Sequence, residues 1–461
     1  MSIRYYSTNR NLENVAGISP FRGSVSFKEA LLAGQAPDEG LFMPDSIPRL
    51  SLADIQKLKG EPYWKMALLV ARAFLSDEFS AEILENVVRD AYNFPVPLEG
   101  VCPRVYLMRL DQGPTASFKD FAARMMARLM SHCRPQGERI NILVATSGDT
   151  GSAAGEAFKG VAGIDVIILY PEKEVSPRQK KQLDTIGKNV RALSVDGKFD
   201  DCQNLVKQAF SDPQIAKFNL SSANSINFGR ILPQIIYYVY AYAQLAENDE
   251  QVIFSVPSGN FGDALGCEYA RRMGLPVAKL VMPTNENDEF PTYLATGTYN
   301  KVSPSRACIS NAMNVGHPSN LARFFDLYGG TVDRVGQVHQ YPDIEEMRKH
   351  IFSVSVTDEQ TRATIKSVYK RYNVVLEQHG AVGWAGLEAY LQTAPEQKLA
   401  ISLETAHPAK FPEEIQNLLG INPPLPESMK NIDQRTGSAI PIKKDYDDFK
   451  NYLQKNLKIK E

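Results

Sequence analysis

Apolar positions recur at two different spacings along this chain, and the spacing changes near residue 95. In the first part, the stretches Ser51 to Leu58, Tyr63 to Phe74 and Ala81 to Val88 carry apolar residues three and four positions apart. This spacing predicts amphipathic helices. The segment Phe94-Pro95-Val96-Pro97 then interrupts any helix and predicts a boundary. We therefore expect a small, mainly helical N-terminal unit over residues 1–95.

Beyond this boundary, short and nearly continuous apolar runs alternate with helix-like stretches. Such runs between turn signals are typical of buried strands. Strands that alternate with helices predict α/β architecture with a mainly parallel sheet. We expect this architecture over residues 96–440. The predicted strands are Ile140 to Ala145, Val166 to Tyr170, Val252 to Val256 and Lys398 to Leu403.

The end of the chain, from Lys443 to Glu461, is highly charged but keeps an apolar stripe. Apolar residues at helical spacing in a charged segment predict a surface helix that packs on one side. We expect this helix to form a third region over residues 441–461. Its apolar side chains are Tyr446, Phe449, Leu453 and Leu457.

Length, charge and cysteine content narrow the class of protein. The 461 residues correspond to roughly three structural units at about 150 residues each. Lysine and arginine total 51 against 53 aspartate and glutamate residues, which excludes the broad basic face of a nucleic-acid binder. Five cysteines without a C-x-x-C pair fit neither a disulfide framework nor a structural zinc site.

The apolar segments do not favour a membrane or secreted protein. Residues Met1 to Arg10 contain no apolar core of a secretory signal. The most apolar helix-like stretch, Ile231 to Ala246, is interrupted by polar residues and is shorter than the roughly 20 apolar residues of a membrane span. We expect a cytoplasmic protein that binds neither membranes nor nucleic acid.

Two segments share one local plan, in which a predicted strand leads through a glycine turn into a helix-prone stretch. In both, the glycines are spaced G-x-x-G-x-x-x-G. Glycine lets backbone N–H groups turn inward, and the helix adds the positive end of its dipole, so each turn is a candidate anion site. One such turn alone is more often a simple chain reversal. Two of them at strand ends predict a ligand with two anionic ends. The turns are Ser147-Gly148-Asp149-Thr150-Gly151 and Ser258-Gly259-Asn260-Phe261-Gly262.

Lys119 is the candidate nucleophile. It follows a Gly-Pro turn and is expected at or near the start of a helix, flanked by Phe118 and Phe121. A single lysine is more often a solvated surface charge. A helix N-terminus disfavours a cation, however, and such a site would lower the pKa of the amine. A neutral amine is the requirement for Schiff-base chemistry with a carbonyl group.

A set of motifs follows in register along the chain: Tyr6 to Arg10, Val25 to Phe27, Gly40 to Pro44, Gly113 to Asp120 (G-P-T-x-x-F-K-D), the two glycine turns, Asn224 to Asn227 with Arg230, and Thr405 to Phe411. Together these motifs resemble the threonine synthase family, whose members are pyridoxal-phosphate enzymes of the tryptophan-synthase-β-like fold. The resemblance spans nearly the whole chain and includes N-terminal elements of the family's bacterial and fungal branch. It implies a fold type II enzyme, with two open parallel-sheet lobes and flanking helices around a pyridoxal-phosphate cleft.

This resemblance implies a cofactor site for pyridoxal 5′-phosphate. Lys119 would bind the cofactor covalently, and Asp149 would lie near its 3′ oxygen. Thr405 would place a hydroxyl against the pyridine nitrogen, which supports a largely unprotonated ring. Many relatives in the wider fold carry asparagine in place of Asp149, and the sequence leaves the protonation of this carboxyl open. The cofactor phosphate would be held by Ser258, Gly259, Asn260, Phe261, Gly262 and Asp263.

The resemblance also implies the substrate O-phospho-L-homoserine. The implied reaction, catalysed by a carbon–oxygen lyase acting on phosphates, is γ-elimination and β-addition of water to give L-threonine, the last step of threonine biosynthesis. Lys119 would take the Cα proton, and the planar guanidinium of Arg230 suits phosphate. The α-carboxylate would be bound by Ser147, Gly148 and Thr150, and the substrate phosphate by Asn224, Ser225 and Arg230.

One position departs from the family pattern. The family usually has histidine before G-P-T, but this chain has Gln112. Glutamine exchanges hydrogen bonds but carries no proton charge near neutral pH, so no ionisable role is expected there. His407, within the last motif, is interpreted as a structural histidine without a role in proton transfer.

Two alternatives remain open at this stage. A serine or threonine dehydratase, or a cysteine synthase, would share the lysine and the cofactor-phosphate turn. The Asn224 to Asn227 segment with Arg230, and the N-terminal unit, are less expected in such an enzyme. A non-catalytic metabolite-binding protein of the same fold would bind pyridoxal phosphate without turnover. The chain is expected to be a monomer or a homodimer.

Overall fold

The computed structural model describes residues 2–13, 15, 17–394, 398–437 and 439–459. The outer ends of the predicted first and third regions, at Met1, Lys460 and Glu461, lie outside these residues.

The N-terminal part combines four helices with a small antiparallel sheet. Ser26, Ser51 and Ser80 begin three of the helices, and each side chain accepts a hydrogen bond from a backbone amide of the first turn. The three predicted helices are confirmed. The pairing of Tyr5–Ser7 with Phe42–Pro44 was not predicted, because a three-residue strand is too short to show alternation. The elements are β1 Tyr5–Ser7, α1 Phe27–Ala33, β2 Phe42–Pro44, α2 Leu52–Gln56, α3 Tyr63–Leu75 and α4 Ala81–Ala91.

The next stretch alternates strands and helices up to residue 245. Its elements are β3 Leu98–Cys102, β4 Val105–Arg109, α5 Lys119–Cys133, β5 Ile140–Ala145, α6 Asp149–Phe158, β6 Ile164–Pro171, α7 Pro177–Asp184, β7 Val190–Asp196, α8 Phe199–Ser211, α9 Pro213–Ala216, β8 Leu220–Ser222 and α10 Leu232–Leu245.

The remainder continues in the same way. Its elements are β9 Val252–Ser255, α11 Gly262–Arg272, β10 Val277–Val281, α12 Glu289–Thr296, α13 Leu321–Leu327, β11 Thr331–Val332, β12 Val338–Gln340, α14 Ile344–His350, β13 Ile351–Phe352, α15 Asp358–Tyr372, α16 Gln378–Leu391, β14 Leu399–Glu404, α17 Pro412–Leu419, β15 Ile440–Lys443 and α18 Tyr446–Asn456. Short 3-10 turns lie at Phe228–Arg230, Asn311–Met313, Pro408–Lys410, Glu427–Met429 and Ile432–Gln434.

Two larger sheets form the two lobes. The five-stranded sheet has the order β15-β7-β6-β5-β8 and is parallel throughout. The six-stranded sheet has the order β13-β10-β9-β14-β4-β3 and is parallel except for the edge pair of β3 with β4. Strands β5, β6, β9 and β14 are buried along their whole length, which explains their continuous apolar runs. The predicted α/β fold with two parallel-sheet lobes is confirmed.

The strand order decides which loops meet. In the six-stranded sheet β4, β14 and β9 are neighbours, so the segments that follow them lie side by side at one edge. These segments carry Lys119, Thr405 and the turn 258–262. In the other sheet β5 lies beside β8, so the turn 147–151 lies beside the segment that starts at Asn224.

The end of the chain packs on the five-stranded lobe. Phe449 and Leu453 of α18 are fully buried against a cluster that includes Leu205 of α8 and Leu193 of β7. The predicted C-terminal helix with one packed side is confirmed. Strand β15, which pairs in parallel with β7, was not predicted. Across the described ranges, no helix combines the length and the apolar character that a bilayer crossing requires.

Candidate active site

Lys119 is the first residue of α5, as the sequence predicts. The preceding residue is tied to the strand β14 segment, because the Phe118 amide donates to the Thr405 carbonyl at 2.9 Å. No described residue gives the Lys119 amine a hydrogen bond or an ion pair; its Nζ lies 4.9 Å from the Phe118 ring centre. Lys119 therefore holds a partly buried amine without a polar partner.

The electrostatic setting favours the neutral amine. Burial lowers the pKa of the Lys119 amine below its ordinary value, and the positive charges of Lys410 and Arg230 lower it further. The carboxylates of Asp149 and Asp263 act in the opposite direction. The structure thus brings four charged groups from separate segments to one amine. A neutral amine at moderate pH can act as a nucleophile or as a base.

The turn before Lys119 is held by the next residue, Asp120. Its carboxylate accepts hydrogen bonds from the Thr115 amide at 2.8 Å and from the Thr115 hydroxyl at 2.7 Å. A Cβ on Gly113 would lie 2.5 Å from Asp120 Oδ2, so only glycine fits there. Burial raises the pKa of Asp120 to about 6, against the lowering effect of its bonds to Thr115. Gly113, Thr115 and Asp120 of the motif therefore act together to shape the turn before Lys119.

The turn 258–262 leaves a row of backbone donors unused. No described residue accepts a hydrogen bond from the amides of Gly259, Asn260, Phe261 or Gly262, and α11 begins at Gly262. Phe261 adopts a left-handed φ of 60° with its ring buried. Free amides at a helix N-terminus form an anion site. This geometry supports the predicted role of the turn.

The residues at either end of this turn are engaged inside the protein. The Ser258 hydroxyl donates to the Val256 carbonyl at 2.7 Å, and its amide donates to the Pro283 carbonyl at 2.9 Å. Asp263 Oδ1 accepts from the Ala264 amide at 2.9 Å, and burial raises the pKa of this carboxyl to about 6. Both contacts shape the turn, so cofactor binding by Ser258 and Asp263 stays a prediction.

The segment that starts at Asn224 connects the two lobes. The Asn224 amide group donates to the Ala145 carbonyl at the end of β5 at 3.0 Å. Asn260 donates to the Ser225 hydroxyl at 2.7 Å, which joins this segment to the turn 258–262. Arg323, fully buried, donates to the Ser225 carbonyl at 2.9 Å. Sequence reasoning missed Arg323, because its contacts lie far away along the chain.

Arg230 is a buried cation without a carboxylate partner among the described residues. It is 4% exposed, its Nη1 donates to the Ala223 carbonyl at 3.0 Å, and its Nε has no partner. Burial lowers the pKa of the Arg230 guanidinium to about 10, with Asp120 opposing this effect. A buried charge with unmet hydrogen bonds is costly unless it meets an opposite charge. The site therefore fits an anionic ligand.

The turn 147–151 is organised by Thr146, which sequence reasoning also missed. Its hydroxyl oxygen accepts hydrogen bonds from the Gly148 and Gly151 amides, both at 2.9 Å. Gly148 has a φ of +132°, a value that favours glycine. The hydroxyls of Ser147 and Thr150 are bonded to no described residue. These two hydroxyls are therefore available to a ligand, and substrate binding by Ser147, Gly148 and Thr150 stays a prediction.

Asp149 forms a buried ion pair with Lys410. Lys410 Nζ lies 2.6 Å from Asp149 Oδ1, and Gln179 Nε2 donates to the same oxygen at 2.8 Å. Burial raises the pKa of Asp149, but Lys410 and Lys119 outweigh it and hold the pKa well below its usual range. The sequence leaves the protonation state of this carboxyl open, and the structure shows that it is an anion. Lys410 belongs to the last motif but had no predicted role.

The segment after β14 places Thr405 next to the Lys119 turn. Thr405 is buried, and no described residue bonds its hydroxyl. His407 Nδ1 accepts from the Ala409 amide at 3.1 Å, and burial lowers the pKa of its ring. His407 therefore caps the turn that carries Lys410, in line with its predicted structural role. Gln112 donates to Asp111 at 2.8 Å and so faces a carboxylate.

Together these residues fit pyridoxal phosphate. The cofactor presents an aldehyde, a phosphate and a ring with a phenolic oxygen and a nitrogen. The structure offers an unpartnered amine at Lys119 and free amides at the turn 258–262. It also offers a carboxylate at Asp149 and a free hydroxyl at Thr405. The unpaired guanidinium of Arg230 provides for a further anion.

Known proteins resemble this chain over nearly its whole length. A family model described as pyridoxal-phosphate dependent enzyme matches residues 94–403. A model of the threonine synthase N terminus matches residues 4–92, and one of the threonine synthase C-terminal part matches residues 380–453.

Individual relatives agree with the family models. A threonine synthase of Haemophilus influenzae is 37% identical over 445 residues, covering 96% of this chain and 100% of that protein. A threonine synthase of Escherichia coli is 38% identical over 408 residues, covering 88% of this chain and 91% of that protein. The crystal structure of PLP-bound threonine synthase from Brucella melitensis has a TM-score of 0.89 and 35% identity, covering 98% and 99% of the two chains.

Proposed function

The chain belongs to the threonine synthase family of pyridoxal-phosphate-dependent enzymes, and from this premise we propose that it converts O-phospho-L-homoserine and water into L-threonine and phosphate. The observation that supports this substrate is the buried guanidinium of Arg230, which has no carboxylate partner among the described residues. Its charge, like that of Asp149, is close enough to shift the pKa of the Lys119 amine, so it belongs to the same site. A phosphorylated amino acid supplies the anion that this cation lacks.

We propose that Lys119 holds the cofactor and later acts as the base. Burial and neighbouring cations favour its neutral form, so the amine can accept a proton from the substrate Cα. Bound pyridoxal phosphate supplies a conjugated ring that accepts the electrons of the broken bond. Because the hydrogen bonds of Asp120 fix the turn before Lys119, the lysine is already positioned when the substrate binds.

The cofactor phosphate is assigned to the turn 258–262. The free amides there and the N-terminus of α11 provide donors and a favourable dipole. Asp149, held as an anion by Lys410, can accept a hydrogen bond from the cofactor's 3′ hydroxyl. The Thr405 hydroxyl can donate to an unprotonated ring nitrogen.

The substrate's two anionic ends are assigned to different lobes. Ser147 and Thr150, whose hydroxyls are unused, would bind the α-carboxylate together with the Gly148 region. Arg230 would bind the substrate phosphate with two hydrogen bonds. The Ser225 hydroxyl accepts from Asn260 and therefore keeps its own hydrogen to donate to the same phosphate. The Asn224 side-chain NH₂ group donates one hydrogen to the Ala145 carbonyl and would donate the second to the substrate phosphate.

Several whole-chain features are also inferred. We retain the division into regions 1–95, 96–440 and 441–461, since the first packs as helices and the last adds a helix to one lobe. A cytoplasmic location is supported by five free cysteines, three of them buried. The expected assembly is a monomer or a homodimer.

The test is a turnover experiment that separates the alternatives. Purified holoprotein is incubated with O-phospho-L-homoserine, and free phosphate and L-threonine are measured in one sample. We expect equal amounts of the two products. Phosphate without threonine would show unproductive elimination, and neither product would support a binding protein. Ammonia release from L-threonine without reaction on the phosphorylated substrate would instead show a dehydratase.

A further inference from the structure

Arg323 of α13 is fully buried and joins separate parts of the molecule. Its Nε donates to the Phe42 carbonyl of β2 at 3.1 Å, and its Nη2 donates to the Ile226 carbonyl at 2.7 Å. Its Nη1 donates to the Ser225 carbonyl at 2.9 Å and to Asn320 Oδ1 at 2.6 Å. One guanidinium therefore connects the N-terminal sheet, the segment after β8 and the start of α13.

The contacts of Arg323 do not include a carboxylate. Each acceptor is a neutral oxygen, and no described residue forms an ion pair with this guanidinium. Burial lowers the pKa of the Arg323 guanidinium to about 10. A buried cation without an opposite charge is unfavourable for folding, so stability alone does not explain this side chain. The guanidinium supplies a planar set of donors that holds several acceptors in one arrangement.

The hydrogen bonds of Arg323 belong to a closed ring. Asn320 Nδ2 donates to the Asn260 carbonyl at 3.0 Å, and the Ser319 amide donates to Asn260 Oδ1 at 2.5 Å. Asn260 Nδ2 donates to the Ser225 hydroxyl at 2.7 Å, and the Ser225 carbonyl accepts from Arg323. This Arg323 ring, which contains Arg323, Asn320, Asn260 and Ser225, therefore fixes the proposed substrate-phosphate segment against the proposed cofactor-phosphate turn.

The spacing of these two segments decides which substrate fits. A substrate joined to the cofactor would have its Cα at a fixed place. Its phosphate would then reach Ser225 and Arg230 only if the chain between Cα and phosphate has the right length. A rigid spacing selects one chain length, whereas a loose spacing tolerates a shorter chain. Because Asn260 donates to the Ser225 hydroxyl oxygen, the ring also leaves the hydroxyl hydrogen for the ligand.

From these contacts, and resting on the proposed function, we propose that Arg323 is a positioning residue that sets the length of the substrate chain. Its described hydrogen bonds go to protein oxygens, so it acts through the Ser225 segment and the cofactor-phosphate turn. Its bond to the Phe42 carbonyl makes the N-terminal part a third anchor of the spacing. The N-terminal part thereby contributes to substrate recognition, although Lys119 and Arg230 lie outside it.

Calorimetric titration of the holoprotein with two phosphonates tests this proposal. The first is the analogue of O-phospho-L-homoserine in which a methylene group replaces the ester oxygen, so that no phosphate can leave. The second is one methylene group shorter. We expect the wild type to bind the longer phosphonate more tightly by roughly tenfold, and Arg323→Lys to lower this ratio about fivefold. Lysine keeps the charge, but its three donors lie on one atom and cannot hold all the acceptors of Arg323 in the same arrangement.

Two further variants separate positioning from a general loosening of the fold. Arg10→Met removes an ion pair of 2.6 Å with Asp326, which also joins α13 to the N-terminal part but lies outside the Arg323 ring. This variant should keep the wild-type ratio. Asn320→Ala opens the ring without removing a charge and should lower the ratio as Arg323→Lys does, so the test does not depend on the folding of the arginine variant. Cofactor content and a melting curve accompany each variant.

The outcomes distinguish this inference from the proposed function. If the wild type binds the longer phosphonate but Arg323→Lys and Asn320→Ala keep the wild-type ratio, the inference is wrong and the proposed function stands. A ratio that Arg10→Met lowers as much as Arg323→Lys does would also contradict the inference, because loosening elsewhere would then be sufficient. If the wild type does not bind the longer phosphonate, the proposed function fails and the inference fails with it.

Discussion

Lys410 Nζ lies 2.6 Å from Asp149 Oδ1, and the two side chains are 0% and 3% exposed. They come from opposite lobes, since Asp149 begins α6 beside the five-stranded sheet and Lys410 follows β14 of the six-stranded sheet. The pair joins the lobes across the proposed cofactor site. It also keeps Asp149 ionised, so this carboxylate would accept a hydrogen bond from the cofactor's 3′ hydroxyl and would not donate one.

Lys410→Met should strongly destabilise the protein. The change leaves the Asp149 carboxylate buried with Gln179 as its remaining described donor, and breaking a buried ion pair costs about 3 to 5 kcal/mol. The free energy of unfolding in denaturant, with and without cofactor, measures the loss. Lys430→Met removes an exposed lysine and serves as control.

The double variant Lys410→Met with Asp149→Asn separates charge from packing. Removing both charges should recover a large part of the lost stability, because no uncompensated ion remains. A double variant as unstable as Lys410→Met would show that the contact matters for shape and not for charge.

Arg230→Met should stabilise the protein while it weakens substrate binding. The guanidinium is buried without a carboxylate partner among the described residues, so its removal should raise the free energy of unfolding by about 1 to 3 kcal/mol. Losing a desolvated charge contact should lower kcat/KM for O-phospho-L-homoserine roughly 100-fold or more.

Two readouts accompany this variant. Cofactor content, followed by absorbance, should be unchanged, because the free amides of the turn 258–262 do not depend on Arg230. Binding of L-homoserine, which lacks the phosphate, should also be unchanged. An equal loss of affinity for O-phospho-L-homoserine and for L-homoserine would show that Arg230 does not bind the phosphate.

Glu289 makes stability depend on pH. It is 2% exposed at the start of α12, one carboxyl oxygen has no partner, and burial raises its pKa from 4.5 to about 8. The folded protein keeps a proton that the unfolded chain releases between about pH 4.5 and 8, so this group lowers stability as pH rises through that window.

Glu289→Gln should therefore raise the free energy of unfolding at pH 8 by roughly 2 to 4 kcal/mol and change it little at pH 4.5. Denaturant unfolding at both pH values measures this difference. Glu82→Gln, an exposed first-turn residue of α4, should show no such contrast. A gain of the same size at both pH values would rule out titration as the cause.

His379 should position the cofactor-phosphate turn. Its Nδ1 lies 2.6 Å from Glu377, and its Nε2 accepts from the Ala312 amide at 3.1 Å. Ala312 and Met313 press on Gly259, where a Cβ would lie 2.8 Å from Met313 Cα.

His379→Leu should weaken cofactor binding about tenfold, because the Ala312 turn loses its anchor. A fluorescence titration of the protein with pyridoxal phosphate gives this affinity. His350→Leu, at the surface end of α14, should bind as the wild type does. The retained cofactor should still be trapped on Lys119 by borohydride, which a general unfolding would prevent.

The sequence predicts some parts of this molecule better than others, for physical reasons. Helix α3 and strand β5 follow from local apolar spacing, and both are confirmed with nearly the expected bounds. The place of Lys119 at a helix start follows from the Gly-Pro turn. Strands β1, β2 and β15 have three or four residues and depend on their partners for stability, so local patterns do not show them.

The supporting residues of the site are also beyond local patterns. Lys410, Arg323 and Thr146 act through contacts that join distant segments or a single turn geometry. A lysine, an arginine or a threonine in sequence carries no sign of such a partner. The resemblance to the family identifies the motif that contains Lys410. The ion pair of Lys410 with Asp149 is seen only in the three-dimensional structure.

Turnover in water labelled with oxygen-18 tests the proposed reaction most directly. If phosphate leaves by carbon–oxygen cleavage and water adds at Cβ, mass spectrometry should find the label in the hydroxyl of L-threonine and none in the released phosphate. Lys119→Ala should form neither product. Label in the phosphate, with L-homoserine as the other product, would show simple phosphate-ester hydrolysis and contradict the account.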